Sequence, residues 1–275
     1  METLTIQPPL LGESAAIDGL REFIVAASLG PEPVLLTGPP GSGKTLMAAK
    51  IHAIGHRSGT PCCSVEGAAL TVDEVESLYR HDPESEGPGG LYIRNVERLA
   101  VETAQALRER VVHGHLGPRL LTSSQARLGS PAWRSLDEIG LLACLLRRHH
   151  EVPGLQERPE DVPVLCRYQV WLHTLPDSFD ERWARFEREE LPELMRAHWS
   201  GNVAELIERV RLHCGADARA PRRWVGDRGR FTAQEEYVRR CLDEAFEEVR
   251  ALLEEGELTG GGWILPVVPR PHEQD

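Results

Sequence analysis

Apolar positions along the chain follow two alternating periods. From Ser14 onward Ile17, Leu20, Phe23, Ile24 and Ala27 fall at helical spacing, which predicts a first helix. Val34 to Thr37 is a short apolar or β-branched run and reads as a strand, after which Leu46, Met47, Ala48 and Ala49 begin a helix that Gly55 ends. Cys62 to Val65 predicts a second strand, Thr71 and Asp73 open a helical stretch through Glu76 and Tyr79, and residues 81–90 make a polar turn. Leu91 to Ile93, Val101 to Val112 and Leu120 to Ser123 then read as strand, helix and strand. Strands alternating with helices in this way predict an α/β fold, a parallel sheet with helices on both faces. Met1 to Leu10 reads as a short tail.

Between the strand at 34–37 and the following helix stands GPPGSGKT, residues 38–45. The pattern G-x-x-x-x-G-K-T at a strand-to-helix turn is that of a phosphate-binding loop. Gly38, Gly41 and Gly43 admit backbone angles closed to other residues, so successive N–H groups can converge on one anion at a helix N-terminus. The expected nucleotide contacts are Gly38, Pro39, Pro40, Gly41, Ser42, Gly43, Lys44, Thr45 and Leu46. Lys44 is expected on the β- and γ-phosphates of ATP or ADP and the Thr45 hydroxyl on Mg2+.

Length and charge limit what surrounds that loop. The 275 residues can form one large or two modest domains with a substantial core. A net charge of −12 argues against a surface built for nonspecific phosphate-backbone contacts. The six cysteines lack C-x-x-C pairing, and neither a signal peptide nor a long apolar span is visible, so a soluble, cytoplasmic protein is expected.

LGESAAI at 11–17, the phosphate loop, GGLYI at 89–93, PRLLTSSQ at 118–125, GLQERPEDVPVL at 154–165 and HWSGNVAELIERV at 198–210 occur in a recognisable order. In that order the chain resembles the central AAA+ ATPase of sigma-54-dependent transcription activators over roughly residues 11–214. The resemblance implies an α/β nucleotide domain over 11–165 and a small helical lid over 166–215. A linker at 216–231 and a C-terminal acidic amphipathic helix and tail at 232–275 would follow.

The departures from that family are as informative as the matches. Where its members carry Asp-Glu at the end of the third strand, this chain has Arg94 and Asn95, with Glu97 as a nearby carboxylate. The sigma-contacting loop is reduced to DPESEGP, residues 82–88. The two trans-acting arginines fall on Glu138 and Cys144, with Arg147 and Arg148 as alternatives in register. The lid arginine is Ala204, and Gln125 replaces the asparagine that senses the γ-phosphate. Pro39 and Thr45 stand where the close family usually has glutamate. Binding groups are kept and hydrolytic groups are lost. The expectation is an ATP- or ADP-binding module with weak or no turnover, acting through assembly or conformation.

Two other readings remain open at this point: an active ATPase completed by a partner subunit, and a transcription regulator binding DNA through the arginines around Trp224 at 216–230. DNA is disfavoured as a partner and no sigma-54 contact or membrane is expected. Self-association, or another AAA+ or regulatory protein, is expected at the AAA+ interface and the last helix. That helix opens with the capping box Thr232 and Glu235, and Val238, Leu242, Ala245, Val249 and Leu252 form one apolar seam. His113, His115, His149 and His150 lack ligands at metal spacing and read as surface or packing residues.

Overall fold

The computed structural model of the protein describes residues 1–4, 10–55, 60–80, 88–113, 117–174 and 178–214, the side chains of residues 2 and 113 excepted. His115, most of the shortened loop at 82–88, the arginine stretch at 216–230 and the helix expected from Thr232 lie outside the described residues.

Six strands form one sheet in the order β1-β3-β4-β5-β2-β6. They are β1 (Glu2–Thr3), β2 (Val34–Thr37), β3 (Cys62–Glu66), β4 (Gly90–Arg94), β5 (Arg119–Ser124) and β6 (His149–Glu151). All neighbours pair in parallel except β1, which runs antiparallel to β3 with Glu2 opposite Ser64 and Thr3 opposite Cys63. The start of the expected tail is therefore an edge strand, extended by a bond from Leu4 N to the Cys62 carbonyl at 2.8 Å.

The helices that cover a parallel sheet must close both of its faces. Helix α1 (Ala15–Ser28) and helix α2 (Lys44–Ile54) bring Ile17, Leu20, Ile24, Met47 and Ile51 onto Val34, Leu36, Tyr92 and Leu121. On the other face lie α3 (Val72–Leu78), α4 (Val101–His113), α5 (Arg134–Glu138) and α6 (Leu141–Leu145). There Val75, Leu107, Trp133, Leu136 and Leu145 meet Leu35, Leu91 and Ile93. Alternation along β2 and β4 sends neighbouring residues to opposite cores, the period of two that a strand imposes.

A third core lies where the lid is expected, formed by α7 (Val162–Leu172), α8 (Phe179–Glu189), α9 (Leu191–Leu194) and α10 (Asn202–His213). Leu155, Val162 and Leu165 pack there with Phe179, Phe186, Trp199, Leu206 and Val210. The change of packing thus comes before Leu155, earlier in the chain than the expected boundary at 165. Asp161, fully buried, joins the lid's entry to the start of α1. It accepts from Glu13 N at 2.8 Å, Ser14 N at 2.9 Å and Ser14 Oγ at 2.8 Å, and Arg158 Nη1 lies 3.4 Å away. The motifs LGES and RPED are two halves of this one junction.

No helix among the described residues is long and apolar enough to cross a membrane.

Candidate functional site

The C-terminal ends of the parallel strands lie along one edge of the sheet, where α/β folds collect their ligands. Thr37 pairs with Ser124 and Glu151, Arg94 with Ser123, and Glu66 with Arg94, so these residues share that edge with the loop 38–45. Two glycines of the loop are required by what surrounds them. Gly38, at φ 140, would drive a Cβ into the Val152 carbonyl, and Gly41, at φ 72, would drive one into the carbonyl of Gly201. Gly43 is left-handed as well, at φ 110, and turns the chain into α2, which begins at Lys44 rather than at Leu46.

Lys44 is buried, and its ammonium donates to the loop's own carbonyls, Gly38 O at 2.8 Å and Pro39 O at 2.7 Å. Burial pulls its pKa down to about 8, partly opposed by the negative charge of Glu97. Ser42 is also buried, and its hydroxyl has no hydrogen-bond partner among the described residues. A buried hydroxyl left without a partner is costly unless a ligand completes it.

The lid holds the loop from the side. Asn202 Nδ2 donates to Pro40 O at 2.8 Å, Ala204 N to Gly41 O at 3.3 Å, and Arg158 Nη2 to Ser42 O at 3.0 Å. Asn202 adopts φ 55 and accepts from Leu155 N at 2.8 Å, which fixes α10 against both the loop and the lid's entry. Between loop and lid, Leu11, Leu46, Met47, Val152, Tyr168 and Gln169 line a cavity of about 70 Å3.

At the strand ends, Arg94 and Asn95 share one carboxylate. Arg94 Nε lies 3.5 Å from Glu66 Oε2, and Asn95 Nδ2 donates to Glu66 Oε1 at 2.6 Å. Asn95 is left-handed at φ 50. Glu97 follows in a short 3-10 turn, Val96–Arg98, with a buried Oε2 that has no partner among the described residues. The Thr45 hydroxyl, expected on Mg2+, lies 3.2 Å from Tyr92 Oη, which lies 2.8 Å from Ser123 Oγ.

A hard divalent cation takes carboxylate and phosphate oxygens; at the strand ends the Glu66 carboxylate is already paired with Arg94 and Asn95, while Glu97 Oε2 has no partner among the described residues. Among the described residues no three His, Cys, Asp or Glu side chains gather to hold any metal.

The remaining sequence candidates scatter. Gln125 is exposed just beyond β5, Glu138 is exposed at the end of α5, and Cys144 Sγ turns back to Gly140 O at 3.6 Å. Arg147 is exposed, while Arg148 reaches the end of α1, donating to Ala26 O at 3.0 Å and lying 3.7 Å from Glu32. It therefore serves the opposite edge of the sheet from the loop. His149 Nε2 lies 2.8 Å from Thr37 Oγ1, and the His150 ring sits 4.7 Å from that of Phe23, both packing contacts. Sequence reasoning missed Glu66, Tyr92 and Ser123. Only strand register brings them to the loop.

The family profile described as the sigma-54 interaction domain matches residues 11–153. Among curated proteins, the DNA-binding transcriptional regulator NtrC of Rhizobium meliloti (strain 1021) is 29% identical over 231 residues, covering 74% of this chain and 47% of that protein. The putative transcriptional regulatory protein y4pA of Sinorhizobium fredii is 28% identical over 233 residues, 76% of this chain and 37% of its own length. The chain thus spans about half or less of the curated relatives it matches. Crystal structures of NtrX from Brucella abortus share the fold: one has a TM-score of 0.57 at 20% identity over 90% of this chain and 64% of that one. A second, in complex with ATP, has a TM-score of 0.53 at 21% identity, covering 93% of this chain and 64% of that one. With the profile running from the entry to α1 through β6, and with a parallel sheet built around its phosphate loop, the chain belongs to the sigma-54 interaction domain family.

Proposed function

We propose that this protein binds ATP or ADP at the loop 38–46 and holds it with little or no turnover, as a nucleotide-dependent assembly or regulatory module. The observation that carries the reading is the buried Lys44 ammonium on the loop's own carbonyls, with a buried Ser42 hydroxyl that has no partner among the described residues, in a cradle whose glycines are fixed by Val152 and Gly201. NtrX structures described as complexes with ADP and with ATP support a nucleotide as the ligand. Loss of turnover is supported by Arg94 and Asn95 at the strand end, by Glu138 and Cys144 at the finger positions, and by Ala204 in the lid. An arginine finger contributes about 10³ to 10⁵ in rate and a positioned base about 10² to 10⁴.

Partners on this reading are further copies of the chain, or another AAA+ or regulatory protein, meeting the AAA+ interface and residues 232–256. Neither sigma-54 nor DNA is among them, since the contacting loop is shortened to 82–88 and the chain is acidic. Nucleotide-dependent capture of sigma-54, or salt-dependent DNA binding, would refute that part.

The test of the site is calorimetry with ATP and ADP on the wild type and Lys44→Ala. Binding should be lost or severely weakened in the variant, and equal affinity would reject the assignment. One observation favours a second reading. Glu97, whose charge reaches Lys44 and whose Oε2 has no partner among the described residues, would position water in an ATPase completed by a partner. Turnover that needs both Lys44 and Glu97 would establish it.

A further inference from the structure

Thr45 is exposed in the first turn of α2, yet its hydroxyl is tied to the buried face of the sheet. Thr45 Oγ1 is 3.2 Å from Tyr92 Oη, and that phenol is 2.8 Å from Ser123 Oγ, so three hydroxyls form one chain. Tyr92 is fully buried on β4, and Ser123 is buried on β5, two residues beyond Leu121, so both face the side of the sheet that α2 covers. Burial raises the pKa of the phenol, against the pull of its hydrogen bonds to Ser123 and Thr45, so it stays neutral and relays hydrogen bonds without carrying charge.

A hydroxyl has one proton and two lone pairs. For Thr45 to lend a lone pair to a cation, its proton has to point at an acceptor. At the strand end the Glu66 carboxylate is taken by Arg94 and Asn95, and the acceptor within reach of Thr45 is the phenol oxygen. We propose that Tyr92 is a positioning residue of this site, on the nucleotide-binding reading above: it accepts the Thr45 proton and passes its own to Ser123, leaving the Thr45 lone pairs for the Mg2+ that accompanies a nucleoside phosphate. Protein usually gives Mg2+ few groups beside phosphate oxygens and waters, so the aim of one hydroxyl counts. Run the other way, from Ser123 through Tyr92 to Thr45, the same chain would use up a Thr45 lone pair. Ser123 decides between the two directions, because an acceptor beyond the phenol lets Tyr92 keep its proton away from Thr45.

The experiment is calorimetric titration of the full chain with ADP and with ATP, in millimolar Mg2+ and in EDTA, for the wild type, Thr45→Val, Tyr92→Phe and Ser123→Ala, with a thermal melt of each. Wild-type affinity should be about tenfold or more higher with Mg2+, and Thr45→Val should abolish that gain. Tyr92→Phe keeps the ring, so its affinity in EDTA should stay within about threefold of the wild type while its gain from Mg2+ falls to about threefold or less. Ser123→Ala, which reaches Thr45 only through the phenol, should reduce the gain as well. A gain in Tyr92→Phe equal to that of the wild type would overturn the inference. So would an equal loss in both buffers, the mark of a residue that only supports the fold. Should the melts show Tyr92→Phe unfolded, Ser123→Ala decides alone, and an undiminished gain there overturns the inference. A wild type that gains nothing from Mg2+ would overturn it too and leave the nucleotide reading standing. Absence of binding in both buffers would overturn the nucleotide reading and this inference together.

Discussion

The Asn202 amide donates to the Pro40 carbonyl at 2.8 Å while its own oxygen accepts from Leu155 N at 2.8 Å, so one side chain holds the phosphate loop, the lid helix and the lid's entry together. Its φ of 55 is tolerated by asparagine better than by alanine. Asn202→Ala should therefore cost about 2–4 kcal/mol, from the unpaired Leu155 N–H and the left-handed backbone. Asn202→Gly keeps the backbone freedom and loses only the side-chain bonds, so it should fall between the two. Chemical denaturation of the three proteins checks the order, and an alanine variant as stable as the wild type would contradict it.

Two buried arginines should respond in opposite ways. Arg158 has Asp161 as its counter-charge, and removing that carboxylate in Asp161→Ala strands a buried cation and breaks three bonds to residues 13–14, a loss of about 3–5 kcal/mol. Arg119, also buried, donates to the Ala27 carbonyl at the end of α1 but leaves Nε and Nη1 without partners among the described residues, and burial pulls its pKa down to about 10. Its replacement in Arg119→Met removes a desolvated charge together with one helix-end contact, so stability should stay within about 1 kcal/mol of the wild type. Urea melts of both variants test the contrast.

How much of this was legible in the sequence depends on how far apart the cooperating residues lie. The phosphate loop was readable because its glycines and lysine are contiguous and their spacing alone carries the geometry. Strand β6 was not: His149, His150 and Glu151 are polar, and they are a strand only because β2 pairs with them. Asp161 and Ser14 meet across 147 residues, so quoting both motifs did not show that they form one junction. Likewise Glu66 reaches Arg94 and Asn95 only through the register of β3 on β4. Local rules placed the elements, and pairing decided which charges faced the site.

Acid should destabilise the protein through β6. Burial lowers the pKa of His149 below its usual 6.5, opposed by Glu151, and it lowers that of His150 with a further push from His149. Below 6.5 the unfolded chain binds protons that the folded one does not, so stability falls as pH drops through the unfolded value toward the folded ones. Thermal melts from about pH 7.5 to about pH 5.5 should show a falling Tm, and His149→Gln with His150→Phe should flatten the slope. An unchanged slope in the double variant would assign the acid sensitivity elsewhere.

Nucleotide affinity should depend on pH through Lys44. With its pKa near 8 in the free protein, the ammonium is largely charged at neutral pH. Bound phosphates raise that pKa, so above about 8 binding must take up a proton and affinity falls, at most about tenfold per pH unit. Calorimetry in buffers of different ionisation heat would show the uptake. Lys44→Ala, if any binding remains, should show no such slope.

Purified wild-type protein should hydrolyse ATP at or near background even at high concentration, where ring formation is favoured. Glu66, the carboxylate at the strand ends, is occupied by Asn95 and Arg94, and Arg148, one of the two finger alternatives, is tied to Ala26 and Glu32 at the far edge of the sheet. Restoring Arg94→Asp and Asn95→Glu returns a metal ligand and a base but no trans-acting charge, so a deficit of about 10³ or more should persist. The double change also frees Glu66 of both its partners and sets three carboxylates close together, which should lower stability as well as leave turnover poor. A coupled assay over a range of protein concentrations, read beside thermal melts, separates the two effects. A Lys44-dependent wild-type rate of order one per second would reverse the conclusion and point to Glu97 or Arg147 as the groups that had taken over.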